Sequence, residues 1–247
     1  MSLPTFVTDE PFVAATTITL GEDEAHHMRV RRLENGARVR LLDGQGTRGE
    51  GVLTQLAKRH ATVAVEVAAS VEPPAPIHLL LPVADKDRML WLAEKATELG
   101  VASWRPVQWR RSKHVNPRGE GPMFHQKVVA RMRAALGQSG GAWLPATYPD
   151  ATVEHAVAAR PDGLALRLDA GAPPLLSAMR SSVDAVTLAI GPEGGFEPAE
   201  IAALDAAGFV AVSLGANVLR FETAAIAGVA AVRAALDANP VPSRDEA

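Results

Sequence analysis

The chain has 247 residues and a formal charge of −3, from 25 Lys and Arg against 28 Asp and Glu. Its hydrophobic fraction of 47% is enough for a folded core, which excludes disorder as the main state. Cys is absent, so disulfides, Cys-ligated zinc, iron–sulfur clusters and thiol nucleophiles are excluded.

The first 70 residues have the pattern of short β-strands separated by turns. Strands are predicted at residues 37–42, 48–53 and 61–67, where apolar and polar side chains alternate. Residues 43–46, Asp-Gly-Gln-Gly, supply the turn chemistry between two of them. Short strands with glycine-containing turns predict a small β-barrel domain over residues 1–72. The Pro-rich segment 72–76 that follows predicts an interdomain linker.

Residues 77–238 have a different pattern, in which strands alternate with helices. The continuous apolar run 77–83 is typical of a strand that is covered on both faces. Apolar residues recur with a helical period over residues 85–99, and Pro198 marks the first turn of another helix. Further strands are predicted at 104–109, 164–168, 186–190 and 209–214, and further helices at 122–137 and 221–236. The alternation predicts an α/β sheet.

Positive charge is concentrated in two segments of the chain. Residues 26–60 contain eight basic and three acidic side chains, and residues 86–133 contain eleven basic and four acidic ones. Residues 134–247 contain six basic and thirteen acidic side chains. Arg outnumbers Lys by 20 to 5, and guanidinium groups suit bidentate phosphate contacts. This segregation favours a nucleic acid partner.

No apolar run in the sequence approaches the roughly 18 residues needed to span a bilayer. Residues 1–4 also lack the basic and apolar pattern of a secretory signal peptide. We therefore expect a cytoplasmic protein with no membrane partner. No metal site is expected either, because the pair His26 and His27 has no third ligand near it in the sequence.

Two glycine-containing loops, residues 190–196 and 214–223, follow predicted buried strands. In open α/β sheets, ligands bind beyond the carboxyl ends of strands, where glycine allows close backbone approach. Neither loop has the glycine fingerprint of a Rossmann dinucleotide site or of a P-loop. The loops therefore indicate a ligand site of another kind, or simply two tight turns.

The loop 191–196, with sequence Gly-Pro-Glu-Gly-Gly-Phe, together with residues 214–215 and 218–224, resembles the 16S ribosomal RNA uridine N3-methyltransferase family of the SPOUT superfamily. Further segments similar to this family lie at residues 26–30, 43–46, 95–101 and 138–140. The matching segments keep the family's order from about residue 26 to residue 230. Departures from the family pattern occur at Arg110, Gly137, Gly141 and Phe221.

The resemblance implies a PUA-like barrel over residues 1–72 and a SPOUT α/β domain over 77–238 with a C-terminal trefoil knot. It implies a homodimer that transfers a methyl group from S-adenosylmethionine to N3 of one uridine in 16S ribosomal RNA, free or in the small ribosomal subunit. The expected cofactor-binding residues are Leu168, Ile190, Gly191, Pro192, Glu193, Gly194, Leu214, Gly215, Val218, Leu219 and Thr223. The expected RNA-binding residues are Arg29, Arg31, Arg32, Arg110 and Arg111.

Arg220 and Glu222 are the candidate catalytic residues. The N3 proton of uridine lies on the Watson–Crick edge, so the base must be unpaired or flipped out before it reacts. Loss of that proton places negative charge on the uracil carbonyls, which Arg220 could stabilise if it does not bind a phosphate instead. Glu222 could orient Arg220, accept the proton, or serve only as a helix-start charge. Thr223 could likewise cap that helix.

Three other functions remain open at this point. The first is a SPOUT enzyme with a different specificity, such as methylation of a ribose 2′-hydroxyl. The second is an RNA-binding protein that has lost its chemistry, although the intact loop 191–196 disfavours this. The third, an enzyme that uses a nicotinamide cofactor, is disfavoured because the phosphate-binding glycine fingerprint is absent.

Overall fold

The computed structural model describes residues 3–112, 121–179 and 183–238. The chain divides into two compact units, one comprising residues 1–74 with 132–144 and the other residues 75–131 with 145–247. The division near residue 74 falls inside the predicted linker. The return of residues 132–144 to the first unit has no local signal in the sequence, since those residues continue a helix that begins in the second unit.

The first unit is built on a curled five-stranded sheet. Its strands are β1 (Thr5–Val7), β2 (Thr17–Leu20), β3 (Arg38–Leu42), β4 (Thr47–Leu56) and β5 (Ala61–Ser70). They are ordered β1-β3-β4-β5-β2, with β1 parallel to β3 and the other pairs antiparallel. Among the described residues β1 and β2 remain the two edges, so the sheet resembles half of a barrel. The prediction of a small β-barrel is therefore met only by a curled sheet with two open edges.

One helix of the first unit, α1 (Glu22–Val30), was not predicted. It buries only Ala25 and Met28, and two apolar positions are too few to establish a helical period. Both side chains have no exposed surface, and they pack with strand residues such as Leu41 and Val63 in the core of the unit. The expected RNA-binding residues of this unit lie near the end of the helix, with Arg29 inside it and Arg31 and Arg32 directly after it.

The second unit is an α/β sheet of six strands, all parallel. The strands are β6 (Ile77–Pro82), β7 (Ser103–Val107), β8 (Ala146–Thr147), β9 (Leu164–Leu168), β10 (Val186–Ala189) and β11 (Val210–Val212), in the order β11-β9-β10-β6-β7-β8. The helices are α2 (Lys86–Glu98), α3 (Gly121–Ser139, shared with the first unit), α4 (Val153–Ala158), α5 (Leu175–Ala178), α6 (Pro198–Ala206) and α7 (Phe221–Ala238). The prediction of an α/β sheet is confirmed.

Local sequence explains most elements of the second unit. All four residues of β10 are buried, as expected for a central strand covered on both faces. The Asp85 carboxylate accepts a hydrogen bond from the backbone N–H of Arg88 and so caps α2. Strand β8 and helices α4 and α5 were not predicted, because segments of two to six residues carry too little periodicity.

The part of the chain that the structure describes has no helix long and apolar enough to cross a membrane.

Candidate functional site

The two predicted glycine-containing loops meet in one pocket of about 340 Å³ in the second unit. Nine of the eleven expected cofactor-binding residues line it: Leu168, Ile190, Gly191, Pro192, Glu193, Leu214, Gly215, Val218 and Leu219. Gly194 and Thr223 do not. The pocket has eight further lining residues. Gly195, Phe196, Asn217 and Phe221 lie in the two predicted loops, whereas Asp169, Ala170, Ile201 and Ala224 were not predicted.

Strand order explains why these residues meet. Strand β9 lies between β10 and β11 in the sheet, and all three strands are parallel. Their carboxyl ends therefore share one edge, where ligands bind in open α/β sheets. Residues 168–170, which are the last residue of β9 and the start of the loop that follows it, line the same pocket. The sequence gives the order of strands along the chain but not across the sheet, so only Leu168 of these residues was expected.

Gly191 is needed because an aromatic ring lies against it. A Cβ atom at position 191 would come within 3.2–3.4 Å of the Phe196 ring, closer than most Cβ contacts. Phe196 is itself held by an edge-to-face contact with Trp109, with ring centroids 4.8 Å apart. A side chain at 191 would therefore displace one wall of the pocket. Gly215, with a φ of 134°, instead has a backbone conformation that L side chains rarely adopt.

The segment after β7 holds the loop after β10 in place. The Arg111 guanidinium donates to the Glu197 carboxylate at 2.6 Å and to the carbonyl of Gly194 at 2.8 Å. The backbone N–H of Arg110 donates to the carboxylate of Glu200, which is 5% exposed, at 2.7 Å. Arg110 and Arg111 were expected to contact RNA. The structure gives Arg111 a structural role beside the pocket, although its side chain is 46% exposed.

An arginine that was not predicted lies between two acidic residues of the site. The Arg88 Nη1 atom is 2.7 Å from Oε1 of Glu193, and its Nε atom is 3.7 Å from Oε1 of Glu222. Its hydrogen bond to Glu193 is the main cause that raises the pKa of Arg88. Because Arg88 is 105 residues away from Glu193 in the chain, no local signal could have paired them.

Glu222 pairs with Arg88 and not with Arg220. Among the described residues Arg220 forms no ion pair, and its side chain lies at the exposed start of α7. The idea that Glu222 orients Arg220 is therefore wrong. The second carboxylate oxygen of Glu222, Oε2, is buried without a hydrogen-bond partner in the described part of the chain. A buried acceptor without a donor is unfavourable, which makes this oxygen available to a donor that enters the site.

The start of α7 also decides the role of Thr223. The carbonyl of Arg220 accepts the first helical hydrogen bond, from the backbone N–H of Ala224 at 2.8 Å. Arg220 therefore occupies the cap position and Thr223 lies within the first turn, so the capping interpretation of Thr223 is wrong.

Asp169 contributes a charge to the pocket that the sequence did not reveal. Its Oδ1 atom accepts a hydrogen bond from the backbone N–H of Gly171 at 3.1 Å, and its Oδ2 atom is 2.8 Å from Arg167 Nη1. The bond from Gly171, and then the one from Arg167, lower the pKa of Asp169 below its ordinary value. The pocket therefore keeps a negative charge at this position throughout the neutral pH range.

The expected RNA-binding arginines of the first unit differ in their contacts. Arg29 donates to the carbonyls of Ala57 and Lys58 at 2.7 and 2.6 Å, which ties α1 to the turn between β4 and β5. Arg31 donates to His27 at 3.0 Å and is exposed, as is Arg32. Arg31 and Arg32 are thus the members of this group that present guanidinium surface to solvent. The described residues contain no group of three metal-ligating side chains.

Comparison with known families covers both units. A family model described as an RNA methyltransferase domain matches residues 71–233. A second model, described as an RNA methyltransferase PUA domain, matches residues 20–66.

Relatives of known name and structure match over nearly the whole chain. Ribosomal RNA small subunit methyltransferase E of Synechocystis is 32% identical over 235 residues, covering 91% of this chain and 75% of the relative. The crystal structure of a ribosomal RNA small subunit methyltransferase E from Neisseria gonorrhoeae, bound to S-adenosyl methionine, matches with a TM-score of 0.85 and 28% identity. The match covers 94% of this chain and 98% of that one. The structure of a methyltransferase from Legionella pneumophila, in complex with the same cofactor, matches with a TM-score of 0.86 and 25% identity. The match covers 95% of this chain and 98% of that one. The chain therefore belongs to the PUA-domain-containing RNA methyltransferase family of the ribosomal RNA small subunit methyltransferase E type.

Proposed function

We propose that the chain binds S-adenosylmethionine in the pocket at the ends of β9, β10 and β11. The observation that carries this proposal is the convergence of three strand-end loops, two of them rich in glycine, around one pocket. Its volume of about 340 Å³ lies within the range of small-molecule and cofactor sites. The cofactor would be held by the loops 190–196 and 214–219 and by Leu168. Backbone N–H and C=O groups in such loops suit an adenine ring.

The proposal includes a knotted cofactor site and a homodimer, as the family resemblance implies. Apolar side chains at the rim of the pocket support the dimer, since Val218 is 86% exposed and Leu219 is 36% exposed. Exposed apolar side chains beside a binding site are typical of surfaces that a partner covers. Sedimentation equilibrium should give twice the chain mass, and Val218→Asp should shift the equilibrium to the monomer. A monomeric wild-type protein would refute the dimer.

We propose that the methyl acceptor is N3 of a uridine in 16S ribosomal RNA. The bound cofactor supplies an electrophilic methyl group. The N3–methyl bond forms as the bond from sulfur to that methyl breaks with its electron pair left on sulfur, and the N3 proton leaves the base. Arg220, exposed at the start of α7, stabilises the negative charge on a uracil carbonyl. Glu222 accepts the proton directly or through a water molecule, for which its unpartnered Oε2 atom is suited.

The remaining cofactor and RNA contacts follow from the same proposal. Gly194 and Thr223 would support the cofactor loops from outside the pocket lining. The exposed Arg31 and Arg32 would contact RNA phosphates, with Arg29 holding α1 in place beneath them. A ribosomal RNA substrate supports the proposal that the reaction takes place in the cytoplasm.

Transfer from labelled S-adenosylmethionine tests this function. Purified protein is incubated with small ribosomal subunits from cells that lack the enzyme, and separately with naked 16S RNA. We expect label in the RNA of one substrate or both, and at least a hundredfold slower transfer with Arg220→Ala at saturating RNA. Cofactor binding without any transfer would indicate a non-catalytic RNA-binding protein. No binding of the cofactor in calorimetry would refute the proposed site.

A further inference from the structure

A second cavity, of about 740 Å³, lies in the second unit at the opposite edge of the sheet from the cofactor pocket. It is formed by β7, β8 and the first turns of α3, whereas the cofactor pocket belongs to β9, β10 and β11. Three aromatic rings, those of Trp104, Phe124 and Tyr148, line it. The cavity shares no lining residue with the cofactor pocket, so the methyl-transfer site does not account for it.

Tyr148 has the surroundings of a stacking platform. Its side chain is 40% exposed at the cavity, while Trp104 and Phe124 are buried. The guanidinium carbon of Arg105 lies 4.2 Å from the centre of the Tyr148 ring, a cation–π contact that helps hold the ring in one orientation. An exposed aromatic ring held in this way offers a face on which a planar group can stack.

Polar side chains beside the rings can form hydrogen bonds with such a group. Gln108 and Gln126 line the cavity, are exposed, and form no side-chain hydrogen bond within the described part of the chain. A side-chain amide offers two donors and an acceptor, the kinds of group that a nucleobase edge carries. The Nε2 atom of His125 lies 3.2 Å from Oγ1 of Thr147, a contact that joins α3 to β8 across the cavity.

Two cations lie beside the aromatic rings of the cavity, and one carboxylate, that of Asp150, belongs to its lining. Lys86 lies over the Phe124 ring, 5.4 Å from its centre, and Arg105 lies behind Tyr148. Both belong to the segment 86–133, in which basic residues outnumber acidic ones by eleven to four. An RNA strand carries phosphates next to each base, which these cations can contact, whereas an apolar or basic peptide would gain nothing from them.

We infer that this cavity binds an unpaired base of the RNA substrate, other than the base that is methylated. The base stacks on Tyr148, its edge forms hydrogen bonds with Gln108 or Gln126, and the flanking phosphates lie near Lys86 and Arg105. Aromatic rings that stack single-stranded bases are a general means of RNA recognition. The inference rests on the proposed function only in taking RNA as the substrate.

Tyr148 is the only tyrosine in the chain, so this residue can be labelled specifically and tested without replacing it by another residue type. Protein in which tyrosine is replaced by fluorotyrosine should give a single fluorine resonance from the cavity. A short single-stranded RNA of mixed sequence should shift or broaden this resonance, and the same RNA annealed into a duplex should do so far less. An unmoved resonance at saturating single-stranded RNA would overturn the inference, as would an equal response to the duplex.

The variants Tyr148→Ala and Tyr148→Phe give an independent test. Loss of one base–aromatic stack weakens single-strand binding by roughly 5- to 150-fold, so Tyr148→Ala should fall in this range and Tyr148→Phe should stay close to wild type. The slope of RNA affinity against salt concentration should not change, because stacking releases no counterions. Wild-type affinity of Tyr148→Ala, or a lower salt slope, would contradict the inference.

Failure here can be told apart from failure of the proposed function. If wild-type protein methylates the RNA while the fluorine resonance is unmoved, only the cavity assignment is wrong. If the resonance responds to single-stranded RNA but no methyl transfer occurs, the proposed function is wrong and the cavity stands as an RNA site.

Discussion

Glu200 has the contacts of a carboxylate that holds the cofactor loop together, and its replacement gives a prediction of definite size. The side chain is 5% exposed and accepts two backbone hydrogen bonds, one at each oxygen. Its Oε1 atom accepts from the N–H of Arg110 at 2.7 Å, and its Oε2 atom accepts from the N–H of Glu197 at 2.7 Å. The carboxylate thus joins the segment after β7 to the start of α6, next to the pocket.

Glu200→Ala leaves both N–H groups without an acceptor. Each buried donor that loses its partner costs about 1–3 kcal/mol, so the loss should total about 2–6 kcal/mol. Glu200→Gln keeps one carbonyl oxygen but turns a second donor towards the other N–H, so about half of that loss is expected. The loop 194–197 should also loosen, which would weaken S-adenosylmethionine binding in the same order, Ala more than Gln.

Urea unfolding followed by circular dichroism measures the change in the free energy of unfolding, and calorimetry measures the affinity for the cofactor. With a slope of about 2–3 kcal/mol per molar urea, Glu200→Ala should lower the midpoint by about 0.7–3 M. A midpoint within about 0.2 M of wild type would refute the assignment of both hydrogen bonds. Equal urea midpoints for Glu200→Gln and wild type would refute the conclusion that each carboxylate oxygen accepts a stabilising hydrogen bond.

Three further predictions concern cofactor, catalysis and RNA. Gly191→Ala should weaken cofactor binding and Gly191→Val should weaken it more strongly, because each added atom presses further on the Phe196 ring. Unchanged affinity in calorimetry on the folded variants would count against this pocket as the cofactor site. Arg220→Ala should reduce the single-turnover rate by two to three orders of magnitude, about 3–4 kcal/mol, with Arg220→Lys recovering only part; a wild-type rate at saturating RNA would exclude Arg220 as the electrostatic catalyst. Replacing Arg31 and Arg32 together by Ala should weaken RNA binding and lower its salt slope by up to two while leaving cofactor affinity unchanged, and an unaltered slope would remove them from the RNA surface.

Several regular elements could be predicted from the sequence because their patterns are local. Strand β9 was predicted at residues 164–168 with its observed bounds, and the helix that begins at Pro198 was placed from its Pro and the acidic residues around it. The short helix α1 was missed because only Ala25 and Met28 face the core. A pattern of two positions cannot be distinguished from chance spacing.

The pocket was predicted in its two glycine loops but not in its charged surroundings. Gly191 and Gly215 stand in short segments whose residue types alone indicate a close backbone approach. Arg88 and Asp169 could not be assigned to the site in this way, because their roles depend on the order of strands across the sheet and on contacts between distant parts of the chain. Glu222 is an example. The sequence suggested Arg220, two residues away, as its partner, but in the structure Glu222 pairs with the distant Arg88.

The most direct test of the proposed uridine N3 methylation is mass spectrometry of nucleosides. These nucleosides come from 16S RNA that has been incubated with the protein and isotope-labelled S-adenosylmethionine. We predict one labelled product, N3-methyluridine, at a single position, and at least a hundredfold slower formation of it with Arg220→Ala under the same conditions. Label on a ribose 2′-hydroxyl or on another base would contradict the proposed specificity, and the absence of label from RNA that had never been modified would contradict the proposed activity.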